Sequence, residues 1–280
     1  MVTILLSGGL GNQMFQYAAA KALALRNDTD LVIDLRFFQG AAESSKLFRL
    51  REFAIEDKVK AYGQGFFSSA HHLPQRLTRL ARLERFRTYK EPNLGFHFVA
   101  TQLGKNAVLT GNFQSPLYFE DAEDEVVKRF QPVNQATRAL WPRVPSENRI
   151  NVHVRRGDYL HHDGFLLKNP LDYYERAIGA AQTTHPTAPV RIFSDDPAWC
   201  RSQKIFRNAE IVLPDSSKSP LEDLALMMNG CAIVIANSSY SWWAGFLAGR
   251  AGADVYAPKK WILDFDVDDI KIYPDYWTRV

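Results

Sequence analysis

The chain has 280 residues, 46% of them hydrophobic and 23% charged, with a formal net charge of +3, enough for one large folded domain or two medium ones. Its opening apolar run, Val2 to Leu6, is too short for a signal peptide or a membrane span, and no later segment reaches the required length, so a soluble cytoplasmic protein is expected. Cys200 and Cys231 stand at no metal-ligand spacing and make no disulfide framework, which points to a reducing compartment, while the mild positive charge does not separate an anionic small ligand from a nucleic acid.

Val2 to Leu6 reads as a buried strand, Ser7 to Gly11 as a glycine-rich loop, Met14 to Arg26 as an alanine-rich helix and Leu31 to Leu35 as a second strand, a β-loop-α-β unit. The loop runs Gly8-Gly9-Leu10-Gly11-Asn12-Gln13 and lacks the third glycine of a nicotinamide-binding turn. Asn12 and Gln13 at the helix start offer uncharged donors to an anion or a sugar hydroxyl, and a plain tight turn is the alternative.

From His71 to Lys90 the chain is locally basic. Leu73, Leu77, Leu80, Leu83 and Phe86 recur at helical spacing, which predicts an amphipathic helix with a solvated basic side; weak association with a membrane surface is the secondary reading. Between the halves lie Gln131-Pro132 and then the prolines and polar residues of Trp141 to Asn148, which read as a linker and divide the chain into domains 1–145 and 146–280.

After the linker the alternation repeats. A strand ends at Arg155, a helix starts at Leu171, and strands at Val190 to Ser194, Glu210 to Leu213, Ala232 to Ala236 and Asp254 to Ala257 alternate with helices at Pro197 to Gln203, Pro220 to Asn229 and Ser241 to Arg250. This pattern implies a parallel sheet covered on both faces.

Three strand ends in this half carry chemistry. Ile150, Val152 and Val154 alternate with Asn151, His153 and Arg155, and the strand delivers Arg155, Arg156, Gly157 and Asp158 at its C-terminal end, where open α/β sheets bind ligands. Guanidinium forks match phosphate oxygens and a glycine admits close approach, so a phosphate or diphosphate is the expected ligand. Asn237-Ser238-Ser239-Tyr240-Ser241 opens the helix after the strand Ala232 to Ala236, with more hydroxyls than one N-cap needs; of the tryptophans that follow, Trp242 and Trp243, at least one is expected in the core. Asp195 and Asp196 end a further strand and are weak metal candidates, as are the acids of 264–269, which lack the glycine and glutamate of a calcium loop. A carboxylate accepting N–H bonds from a guanine edge is an equally physical role for Asp195 or Asp196.

Taken together, Gly8 to Tyr17, Gly111-Asn112-Phe113-Gln114-Ser115, His153 to Tyr159, Phe193 to Asp196, Asn237 to Trp243 and Pro258-Lys259-Lys260-Trp261 closely resemble the bacterial α-1,2-fucosyltransferases of glycosyltransferase family 11, in order and over nearly the whole chain. The resemblance implies an α/β, GT-B-like fold, two Rossmann-like domains facing each other across a cleft. Domain 1–145 is then the acceptor side and 146–280 the donor side. It implies inverting transfer of L-fucose from GDP-fucose to the 2-hydroxyl of a terminal galactoside. By the same resemblance Arg155 holds the β-phosphate, His153 and Asp195 or Asp196 contact guanine, Asn237 and Ser238 to Ser241 (through Ser239 and Tyr240) add diphosphate contacts, and Gly11, Asn12 and Gln13 face the donor sugar. Arg156 is expected to be structural and paired with Asp158.

Arg155 and the serine-rich helix start would stabilise the departing diphosphate, so neither cofactor nor metal is expected. Candidates for a general base are Asp158, Asp163, His161 and His162, with Asp163 favoured because a related fucosyltransferase family places a carboxylate at that distance. Partners are then GDP-fucose and a galactose-terminated glycan, not nucleic acid. The rivals are a metal-independent transferase of another sugar nucleotide and, far behind because no RNA-binding signature is present, a nucleotide- or RNA-binding regulatory protein.

Overall fold

The computed structural model describes residues 1–38, 48–60, 86–141, 144–157, 159, 170–215, 217–262 and 265–280. The chain divides into two compact units: 1–51 with 55–130, and 52–54 with 131–280.

The first unit is built on β1 (Val2–Leu5), α1 (Leu10–Arg26), β2 (Leu31–Asp34), β3 (Lys58–Lys60), β4 (Arg87–Lys90), α2 (Phe98–Thr101), β5 (Ala107–Thr110) and α3 (Glu123–Arg129). Its five strands lie in the order β3-β2-β1-β5-β4, all parallel. β1 and β2 are buried along their whole length, as a central position demands, whereas β3 and β4 form the edges and carry Lys58, Lys60, Arg87 and Lys90. Helix α1 starts at Leu10, so Gly11, Asn12 and Gln13 belong to its first turn and the preceding loop is shorter than expected.

The second unit follows with α4 (Gln135–Leu140), β6 (Glu147–Val154), α5 (Pro170–Thr184), β7 (Val190–Ser194), α6 (Pro197–Ser202), β8 (Glu210–Val212), α7 (Pro220–Met228), β9 (Gly230–Val234), α8 (Ser239–Arg250), β10 (Asp254–Ala257), the hairpin β11 (Lys260–Ile262) and β12 (Phe265–Asp266), α9 (Val267–Ile270) and β13 (Thr278–Arg279). Its six-stranded sheet runs β13-β10-β9-β6-β7-β8, with parallel pairing throughout. Ile150, Val152 and Val154 pack with Tyr173, Tyr174, Ala177, Ile192, Ala232 and Val234 on one side. Because β6 is central and covered on both faces, the polar alternates Asn151 and His153 are buried as well. Asn151 meets that burial by donating its amide to the carbonyls of Leu226 and Met227 at the end of α7.

The division falls at Phe130 and Gln131, not at the expected 145. Three contacts explain it: the Ala54 amide donates to the Gln131 carbonyl, the Val133 amide donates to the Glu52 carbonyl, and α4 packs on α7. Phe53 closes this junction edge-to-face on Trp141, 5.9 Å between ring centroids.

Of the basic segment expected to be helical, residues 71–85 lie outside the described ones, and its last four residues are strand β4 instead. Asp268 of the acidic run pairs with Arg279, while Asp264 also lies outside the described residues. Cys200 and Cys231 are free thiols. No helix among the described residues is long and apolar enough to cross a membrane.

Candidate active site

Strands β9, β6 and β7 are neighbours in one parallel sheet, so their C-terminal ends bring Asn237–Ser239, Arg155–Gly157 and Ser194–Asp196 to one edge. Arg155 Nη1 lies 2.8 Å from Asp195 Oδ2, and its guanidinium carbon stands 5.6 Å from the ring centre of Tyr159. Asp195 Oδ1 accepts the Arg156 amide at 2.9 Å. The fit depends on Gly157, where a Cβ would lie 2.5 Å from Asp195 Oδ2.

Arg156 turns to a different carboxylate. Its Nε lies 3.2 Å from Asp196 Oδ2, and its guanidinium covers the Trp199 ring at 3.9 Å. Arg156 thus pairs with Asp196; its expected partner Asp158 lies outside the described residues, as do His161, His162 and Asp163. Asp196 also caps α6, accepting the Trp199 amide at 3.0 Å, with Pro197 at the first helical position. Both acids considered for the guanine edge are therefore already engaged by arginines.

His153 is 6% exposed, and its Nδ1 has no hydrogen-bond partner among the described residues. Burial, with the Arg155 charge adding to it, pushes its pKa down from 6.5 to about 3, so the ring is neutral at physiological pH. It packs 5.8 Å from Tyr240, whose hydroxyl donates to the Pro220 carbonyl at 2.5 Å. Asp223, whose charge bears on Tyr240, makes no hydrogen bond among the described residues, and burial raises its pKa. Sequence reasoning passed over Asp223 because an acid in the first turn of a helix ordinarily just answers the helix dipole.

At the third strand end, α8 begins two residues earlier than expected, with Ser238 in extended conformation (φ −129°, ψ 127°) as N-cap. The Ser238 hydroxyl makes no capping bond, and the first-turn amides of α8 have no acceptor within the helix. Ser241 does not join them: its hydroxyl donates back to the Ala236 and Ser238 carbonyls at 3.4 and 3.3 Å. Asn237 is likewise committed, donating to the Trp261 carbonyl at 2.9 Å, while its own carbonyl accepts the Tyr159 hydroxyl at 3.1 Å. Trp242 and Trp243 are both fully buried.

In the first unit, Gly8 has φ +73°, and a Cβ there would lie 2.7 Å from Asn12 Nδ2. Asn12 Oδ1 accepts from Gln114 Nε2 at 2.8 Å. Gln13, expected to face a ligand, is fully buried: it donates to the Gly8 carbonyl at 2.9 Å and accepts the Arg49 amide at 3.0 Å, so it ties the loop to a neighbouring segment. Gly11 is buried within α1. Glu91, which follows β4 and carried no sequence signal, accepts the amides of Asn112 at 2.6 Å and Phe113 at 3.1 Å.

The sequence model described as "Glycosyl transferase family 11" matches residues 1–279. The chain belongs to this family, and it is a glycosyltransferase. Among its relatives, the alpha-1,2-colitosyltransferase of Escherichia coli is 27% identical over 292 aligned positions, covering 100% of this chain and 99% of that protein. The O-antigen biosynthesis glycosyltransferase WbnK of Escherichia coli is 28% identical, covering 98% and 99%. The galactoside 2-alpha-L-fucosyltransferase SEC1 of Bos taurus is 26% identical, covering 91% of this chain and 66% of its own. The fold resembles that of NodZ alpha-1,6-fucosyltransferase co-crystallized with GDP, with a TM-score of 0.50 at 18% identity, over 88% of this chain and 92% of that one. The α/β, GT-B-like class of two Rossmann-like domains expected from the sequence is the class the family member has.

Proposed function

We propose that this family 11 enzyme transfers L-fucose from GDP-fucose to the 2-hydroxyl of a terminal galactoside with inversion, giving an α-1,2 linkage. The observation that carries the reading is Arg155 at the tip of β6, on the same sheet edge as the N-terminus of α8, where the Ser238 side chain makes no capping bond. As the bond from the sugar to GDP breaks, negative charge builds on the diphosphate. A bidentate guanidinium and a helix N-terminus both answer it without reorganisation. On this reading Ser238 and Ser239 line the diphosphate, and no divalent ion is needed.

With Asp195 and Asp196 committed to arginines, recognition of the base falls to neutral groups and to the Asp223 carboxylate, which makes no hydrogen bond among the described residues. His153 Nδ1 supplies a single uncharged hydrogen-bonding position, and Asp223 accepts from N–H or hydroxyl donors. The first unit supplies the acceptor contacts. A second reading, transfer of colitose from its GDP derivative, is favoured by the nearly complete mutual coverage with the colitosyltransferase.

The test is initial-rate transfer to a galactoside panel from the GDP derivatives of fucose, colitose and mannose, with and without EDTA. Fucose transfer unaffected by EDTA is expected. Arg155→Ala, folded by circular dichroism, should lower kcat about 10²- to 10³-fold, the usual cost of one preorganised charge-stabilising donor. Near-normal turnover of that variant would sink the diphosphate assignment, and abolition by EDTA with rescue by a divalent ion would sink the metal-free mechanism.

A further inference from the structure

Glu52 ends the one-turn helix Arg49–Glu52 early in the chain, yet it belongs to the second unit. Its backbone is pinned there. The Glu52 carbonyl accepts the Val133 amide at 2.9 Å and the Ala54 amide donates to the Gln131 carbonyl at 2.8 Å, while Phe53 between them pairs antiparallel with Pro132 and buries its ring against Trp141. A side chain that starts from a fixed backbone has less freedom left to lose, so a hydrogen bond it makes holds its partner more firmly.

That partner is Ser219, whose hydroxyl donates to Glu52 Oε2. Ser219 is the N-cap of α7, and the same oxygen accepts the Leu221 amide at 3.0 Å, while its carbonyl accepts the Glu222 amide at 2.9 Å. A hydroxyl has one proton to give. The carboxylate takes that proton and leaves the oxygen lone pairs to the helix amide, so the two bonds orient each other. Pro220 presets the backbone at the first helical position, and its carbonyl accepts the Tyr240 hydroxyl at 2.5 Å. The first turn of α7 is thus held by Glu52 on its cap and by Tyr240, which packs on His153. Burial, followed by the charges of Asp223 and Glu52, raises the Tyr240 pKa, so both carboxylates bear on one hydroxyl. Asp223 rides on this turn with no hydrogen bond of its own among the described residues, which leaves the turn to set its place.

We infer that Glu52 is a positioning residue for the nucleotide: by holding the Ser219 cap it sets the first turn of α7 so that the Asp223 carboxylate meets the N–H edge of guanine. The inference rests on the base-recognition role proposed for Asp223 and deepens it. Guanine offers its ring N–H and its 2-amino group side by side, and a carboxylate accepts both only when its two oxygens are correctly aimed.

The experiment is calorimetric titration of GDP and of inosine diphosphate, which lacks the 2-amino group, into wild type, Glu52→Ala, Glu52→Gln, Ser219→Ala and the Glu52→Ala/Ser219→Ala double variant, each folded by circular dichroism. Glu52→Ala should weaken GDP about 5- to 10-fold, the worth of roughly one hydrogen bond, and inosine diphosphate less, so that the preference between them narrows. Glu52→Gln, which keeps an acceptor for the Ser219 hydroxyl, should recover most of that loss. The double variant should bind no more weakly than Ser219→Ala alone, because both changes break the same bond. Unchanged GDP affinity in Glu52→Ala, equal losses for the two nucleotides, no recovery in Glu52→Gln, or additive losses in the double variant would each overturn the inference. If wild type binds no GDP, the proposed function fails separately, and the inference is read from hydrogen exchange of the Leu221 amide, which Glu52→Ala should accelerate and Glu52→Gln should not; equal rates in the three proteins overturn it.

Discussion

A histidine held neutral has a signature in stability. Unfolded, the His153 imidazole takes a proton below its ordinary 6.5, while in the folded protein it resists protonation until about 3. Between those values the unfolded chain binds the extra proton, so this contribution is full above pH 6.5 and is lost as pH falls toward 3. The Tm of wild type should therefore drop more steeply from pH 6.5 to 4.5 than that of His153→Gln. Parallel curves would show that the ring titrates normally. At this scale the sequence disclosed which residues meet at the strand ends and hid what each is already bonded to. Asp196 stands before Pro197 and three residues before Trp199, a legible N-cap, yet two adjacent acids drew attention as a ligand pair. Nothing in Gln13 or Ser241 reveals that one turns toward Arg49 and the other back toward Ala236. Such choices are made by the nearest unsatisfied backbone group, which only the fold supplies.

Among elements, the second half was the readable one. Its strands are central, buried and separated by helices, so hydrophobic runs and N-caps mark them plainly. In the first half β3 and β4 escaped notice because they are edges: their lysines and arginine keep the open strand from recruiting another chain, and in doing so erase the alternation that signals a strand. Helix α5 shows how docking is secured in the readable half. The Tyr173 hydroxyl, fully buried, donates to the Ile235 carbonyl at 2.6 Å, just beyond β9, and stands 3.3 Å from the Tyr256 carbonyl of β10. Tyr173→Phe keeps the ring and leaves the Ile235 carbonyl without that donor, so urea unfolding should report a loss of about 1–3 kcal/mol. A loss below a few tenths would mean that the carbonyl finds another partner.

For the whole molecule, the proline-rich stretch near 145 looked like the boundary, and the boundary is elsewhere because a distant segment intervenes. Glu52–Ala54 pairs with the chain around 131–133 and joins the second unit, where Glu52 also accepts the Ser219 hydroxyl. No local composition could announce that pairing, which spans some eighty residues of chain. Phe53→Ala should consequently loosen the second unit, although the residue lies early in the sequence. Its ring is 2% exposed, and truncating such a phenylalanine costs about 3–5 kcal/mol. Hydrogen exchange should accelerate across 131–141 and α7 while β1 and β2 keep their protection; acceleration confined to β1 and β2 would contradict the assignment.

The tryptophans give this division an optical readout. All six, Trp141, Trp199, Trp242, Trp243, Trp261 and Trp277, belong to the second unit, and Trp242 stacks on Phe246 at 4.8 Å inside its core. Light at 295 nm therefore excites one half of the protein and passes the other by. A fluorescence melt follows the second unit alone, and subtracting it from a far-ultraviolet melt isolates the first unit without a label. Trp199, lying under the Arg156 guanidinium, gives the same lamp a vantage point beside the proposed diphosphate site.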